Sequence, residues 1–516
     1  MSSQVCVLNT SHVHPVQTDD LSPPCHGEQK LSFLDLLQIS KTIQRLFFFD
    51  GPDLPPFPSV VSALRSSLAA TLAVFLPLAG NLALRPASGD VVLDFSPAAV
   101  SSGVKFVEAE FSGGADGMRR LARDAEHDTQ AFVQLVPDLE ATQLPAPVLA
   151  VQVTRPAGAG GGGGAVAVGV SIRHAVADGQ AVWRFLRAWS KASREGSASL
   201  AAPGFVQPTF DRAGIRHPKA AEMARTVLSL VAPALPLVNV RVEHYATVSS
   251  NLNSEIFSRK IDLHELNNPT IEQLRSASSK PEIMKQSRRT FLLRADEIRS
   301  LKQHILEQSR AVNGGEPCKP PSTYVAISSL AWTSVVRAKP SIHDADDVQL
   351  MISADCRNRI RPPLGDAFFG TCVKPCFARA RAGDLRRGEG GGGGVALARA
   401  AAAIQDAIRA HLEELGGDPL SDAESWTAAY RAVPQERFVA VGSSNRFMAY
   451  ETDFGWGAPT RVELVSLFVR QMVTLLGAND GGVQVSVALD DAEAMEAFAA
   501  SFVVPVSLVF PAAAGD

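Results

Sequence analysis

Between residues 166 and 189 the spacing of apolar side chains changes period once, and the change marks a turn. Val166, Val168, Val170 and Ile172 alternate with Ala167, Gly169 and Ser171, the period-2 pattern of a strand with one β-branched face. Val182, Phe185, Leu186 and Trp189 then recur at i, i+3, i+4 and i+7, one stripe of an amphipathic helix. His174-Ala175-Val176-Ala177-Asp178-Gly179 lies between the two. His174 continues the β-branched face in phase, and Gly179 is expected in the connecting turn, where a positive φ costs glycine little.

The same reading extends along the chain. A strand is expected over 290–293 and a helix over 295–308. Pro320-Pro321-Ser322-Thr323 precedes a largely apolar helix over 324–338, with Ser322 or Thr323 as its N-cap. Further strands are expected over 348–354, 438–441 and 483–488. Strands and helices interleave without internal repeats, so the predicted class is mixed α/β, and 516 residues exceed what one hydrophobic core usually supports. Residues 196–218 are small, proline-rich and polar, 221–240 are largely apolar, and 249–268 turn polar again, so a crossover between two domains is expected there. The glycine tracts at 160–164 and 390–394 read as surface loops; neither has the spacing of a phosphate loop or a dinucleotide fingerprint. The apolar stretches at 68–79 and 227–240 contain proline and are too short to span a membrane, so they read as core.

Composition narrows the function classes. The chain is 46% hydrophobic and 20% charged with a formal net charge of -4, which argues against a nucleic-acid surface. Its six cysteines, Cys6, Cys25, Cys318, Cys356, Cys372 and Cys376, contain no Cys-x-x-Cys pair, and Cys372 with Cys376 reads as alternating strand positions rather than as metal ligands. Free thiols and a polar N-terminus without a targeting pattern suggest a cytoplasmic protein. No membrane or nucleic-acid partner and no bound metal are expected.

Two strings carry candidate chemistry. A histidine held at a rigid strand end is well placed for a general base, since its ordinary pKa lies near neutrality and proton removal needs fixed geometry. The hexapeptide alone equally describes a buried histidine satisfied by the backbone. His343-Asp344-Ala345-Asp346-Asp347 has the same spacing but follows Pro340 among acidic residues and reads as a solvated loop. The second string is Asp453-Phe454-Gly455-Trp456-Gly457, preceded by Ser443-Ser444-Asn445-Arg446-Phe447 and followed by Ala458-Pro459. Two glycines bracketing a tryptophan suggest a tight loop under a large ring, with Asp453 able to pair with an arginine. Ser322 and Thr323, at a helix start, can offer hydroxyls and free N–H groups to a phosphate, although capping explains them as well.

Together, His174-x-x-x-Asp178-Gly179 and Asp453-Phe454-Gly455-Trp456-Gly457 resemble the paired signature of the plant BAHD acyltransferases. Gln44-Arg45-Leu46-Phe47-Phe48-Phe49, Leu76-Pro77-Leu78-Ala79-Gly80, Arg288-Arg289-Thr290-Phe291 and Asp355-Cys356-Arg357-Asn358-Arg359 follow the family's order. The resemblance implies an α/β fold of two chloramphenicol-acetyltransferase-like domains with a channel between them: 1–220 carrying the histidine, 221–250 as crossover, and 251–516 carrying the second motif. It implies transfer of an acyl group from its coenzyme A thioester, a co-substrate and not a bound cofactor, to a hydroxyl of a small acceptor. His174 is then the base. Asp178 ties the loop to an arginine, for which Arg288 or Arg289 is expected, and Asp453, Gly455 and Trp456 shape the site from a distance, with Arg357 the expected partner of Asp453. Ser444 and Asn445 are candidates for the oxyanion or acyl pocket. A monomer is expected.

Residues 44–49 and Phe368-Phe369-Gly370-Thr371-Cys372 look most like the anthocyanin and phenolic-glucoside branch, where malonyl and hydroxycinnamoyl donors predominate. That branch usually has Tyr-Phe-Gly-Asn-Cys, so Phe368 and Thr371 are departures. The competing readings are an N-acyltransferase acting on an amine, a condensation domain of peptide synthesis, and an inactive binding protein of the same fold. Condensation domains usually carry two adjacent histidines, and here Arg173 takes the first place.

Overall fold

The period-2 segment before His174 forms the strand Ala165–Arg173, one member of a six-stranded mixed sheet in the computed structural model. Residues 4–16, 27–139, 144–158, 164–231, 286–312, 314, 319–386, 395–414 and 417–508 are described. The two glycine tracts lie almost wholly outside them, as do Cys25 and Cys318. Of the crossover expected at 221–250, the helix Ala220–Val231 falls within the described residues and the remainder outside.

The first sheet runs in the order Val5–Val13, Val104–Phe111, Leu149–Pro156, Ala165–Arg173, Thr42–Asp50 and Arg461–Leu464. Its last strand comes from the second half of the chain and pairs antiparallel with Thr42–Asp50, Val462 opposite Phe47. The second six-stranded sheet is ordered Ser287–Leu293, Val483–Leu489, Met472–Gly477, Phe438–Val441, Asp347–Asp355 and Val373–Arg381. The strands expected at 290–293, 348–354, 438–441 and 483–488 are four of these. A smaller four-stranded sheet completes the first half.

The strand Ala165–Arg173 is buried along its whole length, so its alternation separates large from small side chains and not inside from outside. Val166, Val168, Val170 and Ile172 join a core with the helices Phe57–Val74 and Gly179–Glu195. Ala165 and Ala167 face the other way, toward Phe132 and Leu135. At Gly169 a Cβ would stand 2.2 Å from the Leu135 carbonyl oxygen, which is why this face admits only small residues. The helix Phe57–Val74 is long and apolar enough to cross a membrane by length and composition. Here it packs in the core, where Trp189 donates through Nε1 to the Leu64 carbonyl at 3.2 Å and to Ser67 Oγ at 3.0 Å.

The helices Ala295–Val312, Thr323–Arg337, Ala396–Leu412 and Ala492–Leu508 cover one face of the second sheet, contributing Ile298, Leu330, Ile404 and Phe498 to its core. The architecture is thus mixed α/β with two sheet-and-helix layers, and the exchanged strand Arg461–Leu464 joins them.

Candidate active site

The turn after Ala165–Arg173 is fastened from both halves of the chain. The backbone N–H of His174 donates to the Lys41 carbonyl at 2.9 Å, extending the ladder that pairs Thr42 with Arg173. The His174 carbonyl accepts from Thr371 Oγ1 at 3.0 Å. The residue is half-buried, its Nδ1 is buried without a hydrogen-bond partner, and its ring lies 5.6 Å from that of Phe468. Burial, and then the Lys41 ammonium, bring the imidazole down to about 4, with Asp178 and its own carbonyl pulling the other way. A ring so placed is neutral at pH 7 and can take up a proton.

Asp178 is the N-cap of the helix Gly179–Glu195, accepting from the Ala181 N–H at 3.1 Å. The same oxygen accepts from Arg357 Nη2 at 2.7 Å, and the other carboxylate oxygen accepts from the Cys372 N–H at 3.0 Å. Burial pushes this carboxyl up, but the Arg357 guanidinium and the two backbone donors outweigh it and hold it below the usual range. Its orienting partner is therefore Arg357, correcting the expectation of Arg288 or Arg289. Arg288 donates instead to the Val465 carbonyl at 2.7 Å, and Arg289 pairs with Glu126 and Glu496. The reason is topological: the strand Asp347–Asp355 ends beside the turn and delivers Arg357, while Ser287–Leu293 forms the far edge of its sheet.

Gly179 also differs from expectation. It is the first helical residue and carries no positive φ; what restricts it is space, since a Cβ there would meet Phe447 at 3.2 Å. Phe447 closes the turn beginning at Ser444, whose carbonyl accepts its N–H at 3.0 Å. Ser444 Oγ accepts from the Arg446 N–H at 3.2 Å, and Asn445 is half-buried in the same turn.

The segment Phe368 to Cys372 is stitched to the first half at every step. The Gly370 carbonyl accepts from the Asp178 N–H at 3.3 Å and from Arg357 Nη2 at 3.1 Å. The Thr371 N–H donates to Asp35 Oδ1 at 3.1 Å. Asp35 is itself fully buried, paired with Arg212 Nε at 3.3 Å and closing a capping box with Ser32. Sequence reasoning missed Asp35, Arg212, Lys41 and Phe468. Of these only the Ser32-x-x-Asp35 pattern gave a local signal. Thr371, noted as a departure, is the residue that fixes the His174 carbonyl.

The second motif lies at the opposite end of the helix. Asp453 does not meet Arg357, contrary to expectation; its carboxylate accepts from the Gly455 and Gly457 N–H groups at 2.7 and 2.9 Å. Those glycines have φ of 110° and 94°, a backbone that favours residues without a Cβ. Ser193 Oγ donates to the Phe454 carbonyl at 2.7 Å and Arg194 Nη1 to the Asp453 carbonyl at 3.1 Å. Phe454 is buried against Trp189 at 4.9 Å, and Trp456 packs on Phe49 at 5.8 Å. The motif is an anchor for the helix and for the strand Arg461–Leu464 that follows it. Ser322 caps the helix Thr323–Arg337, accepting from the Val325 N–H at 3.2 Å, with Thr323 its first residue.

Several known proteins are similar to this chain. Phenolic glucoside malonyltransferase 1 of Arabidopsis thaliana is 26% identical over 501 residues, covering 95% of each chain. Coumaroyl-CoA:anthocyanidin 3-O-glucoside-6''-O-coumaroyltransferase 1 of Arabidopsis thaliana is 25% identical over 513 residues, covering 93% of this chain and 95% of its own. The crystal structure of vinorine synthase superposes with a TM-score of 0.64 at 19% identity, covering 96% of both chains, and so shares the fold. The model of the transferase family matches residues 18–503. Matched over nearly its whole length, the chain belongs to that family, the acyl-CoA-dependent BAHD acyltransferases.

Proposed function

We propose that the protein transfers a malonyl or hydroxycinnamoyl group from its coenzyme A thioester to a hydroxyl of a phenolic or flavonoid glycoside, with His174 as general base. The observation that carries this reading is a neutral, half-buried imidazole pinned at a strand end by one residue from each half of the chain. The malonyl and coumaroyl transferases among its relatives support the choice of donor and acceptor.

In this reading the buried Nδ1 carries the ring's proton and Nε2 faces the acceptor. Nε2 takes the hydroxyl proton as the oxygen attacks the thioester carbonyl. The tetrahedral oxyanion then collapses, the C–S bond breaks, and the departing thiolate recovers the proton from the imidazolium. Such base catalysis contributes about 10²- to 10⁴-fold. No acyl-enzyme is needed, because the acceptor attacks the thioester directly. Asp178 holds the turn and takes no proton: its carboxylate is spent on Arg357, Cys372 and Ala181. We place the oxyanion beside the loop bearing Ser444 and Asn445, whose Phe447 rests over Gly179. A cytoplasmic monomer with no tightly bound cofactor is the form we assign to it.

A donor panel of malonyl-, acetyl-, coumaroyl- and benzoyl-CoA against glucosides, free phenols and amines, followed by thiol release and mass analysis of the acceptor, tests the reading. Ester formation on a glucoside is expected. Amide formation, or ligand binding without thiol release, would refute it.

A further inference from the structure

We propose that Lys41, backed by Arg45, forms a carboxylate-binding subsite beside His174, and that the donor it selects is a dicarboxylic acyl thioester of the malonyl kind and not an aromatic one. This rests on the acyl-transfer reading above.

Five buried cations in this protein are paired with acids. Arg357 meets Asp178, Arg212 meets Asp35, Lys374 meets Asp422, Lys339 meets Asp490 and Arg461 meets Glu463. An unpaired charge in a dry environment is costly, and pairing is the usual remedy. The buried Arg173 and Arg288 reach backbone carbonyls instead; what distinguishes the half-buried Lys41 and the buried Arg45 is that they stand next to the proposed base. Among the described residues neither has a carboxylate partner. Lys41 Nζ donates to Gln38 Oε1 at 2.9 Å and lies 5.6 Å from the centre of the Phe468 ring. Arg45 is 6% exposed; its Nη1 donates to the Gln44 carbonyl at 3.0 Å, its guanidinium lies 5.6 Å from the Trp183 ring, and its Nε is buried with no partner.

The position suits a short diacid. Lys41 is joined to His174 by a backbone hydrogen bond, and the Phe468 ring that receives its ammonium also lies 5.6 Å from the imidazole. Lys41 and Arg45 are an even number of residues apart on an extended segment, so they share a side. In a malonyl thioester the free carboxylate is one methylene from the reacting carbonyl, so a cation that binds it must stand beside the base. Burial brings Lys41 to about 8 and Arg45 to about 9, which leaves both mostly protonated at pH 7 and favours the arrival of an anion. A coumaroyl ring in the same place would leave both charges unpaired.

The test compares kcat/KM for malonyl-CoA and acetyl-CoA, which differ by the carboxylate alone, on a neutral glucoside acceptor, in wild type, Lys41→Met and Lys41→Arg. The malonyl-over-acetyl preference is expected to fall on the order of 10- to 100-fold in Lys41→Met, the loss of one charge-assisted contact, and to be largely restored in Lys41→Arg, with melting curves confirming that each variant is folded. A preference unchanged in Lys41→Met, or a wild type that takes coumaroyl-CoA ahead of malonyl-CoA, overturns the subsite while leaving acyl transfer standing. An effect of Lys41→Met seen only when acetyl-CoA is paired with a carboxylated acceptor also overturns it, because the anion would then belong to the acceptor. Thiol release by the wild type from none of these donors would mean that the acyl-transfer reading itself has failed.

Discussion

His174 owes its low pKa to burial first and to the Lys41 ammonium second, with Arg45 adding to the depression and Asp178 opposing it. At about 4, the imidazole is neutral more than two units below its ordinary titration point. The acid limb of kcat/KM, which reports the free enzyme's base, is therefore expected near pH 4 and not near 6.5. Removing the cation in Lys41→Met relieves the penalty on imidazolium, so the limb moves to higher pH. A limb at the ordinary histidine value that Lys41→Met does not move would count against this environment. Asp178 behaves differently, because its carboxylate is held by three donors, Arg357 and the Cys372 and Ala181 amides. Asp178→Asn leaves Arg357 buried with only the half-exposed Asp355 for company, and is expected to cost about 3–5 kcal/mol in urea unfolding while the folded fraction keeps most of its turnover. A stable Asp178→Asn protein as inactive as His174→Ala would make the carboxylate part of the chemistry.

The helix Gly179–Glu195 links the two motifs. One end is capped by Asp178 and the other is gripped through Ser193 and Arg194, about 20 Å away at 1.5 Å per residue. The second motif thus contacts the far end of this helix, a helix length from His174. Gly455→Ala, which forces a Cβ onto a residue at φ 110°, is expected to destabilise by about 1–3 kcal/mol and to hasten proteolysis around the strand Arg461–Leu464, with kcat per folded molecule little changed. A loss of kcat at full stability would place the motif in the site itself. At this scale much was legible: the strand before His174, the helix after it, the helix capped at Ser322 and four strands of the second sheet all follow from periodicity. The small-residue face of Ala165–Arg173 was readable as alternation but not as burial, since what packs on it, the Leu135 carbonyl, comes from a separate segment of the chain. Arg357, Arg288 and Arg289 are equivalent as letters; only the end of the strand Asp347–Asp355 decides among them. A lone lysine before an apolar strand reads as surface, so Lys41 was invisible until the ladder brought it to His174.

At the scale of the molecule, the two layers are held together by buried polar contacts around the turn. The exchanged strand, the Asp178–Arg357 pair and the Thr371 amide on the Asp35 carboxylate all cross between the halves of the chain. Phe468 packs against the cores of both. His174 stands at this seam. The most direct test of the central claim is release of coenzyme A thiol from malonyl-CoA in the presence of a phenolic glucoside, followed for wild type and a folded His174→Ala variant. One thiol per acylated glucoside in the wild type, falling about 10²- to 10⁴-fold in His174→Ala, is the predicted result; a His174→Ala protein that releases thiol and acylates the glucoside as fast as wild type would contradict it.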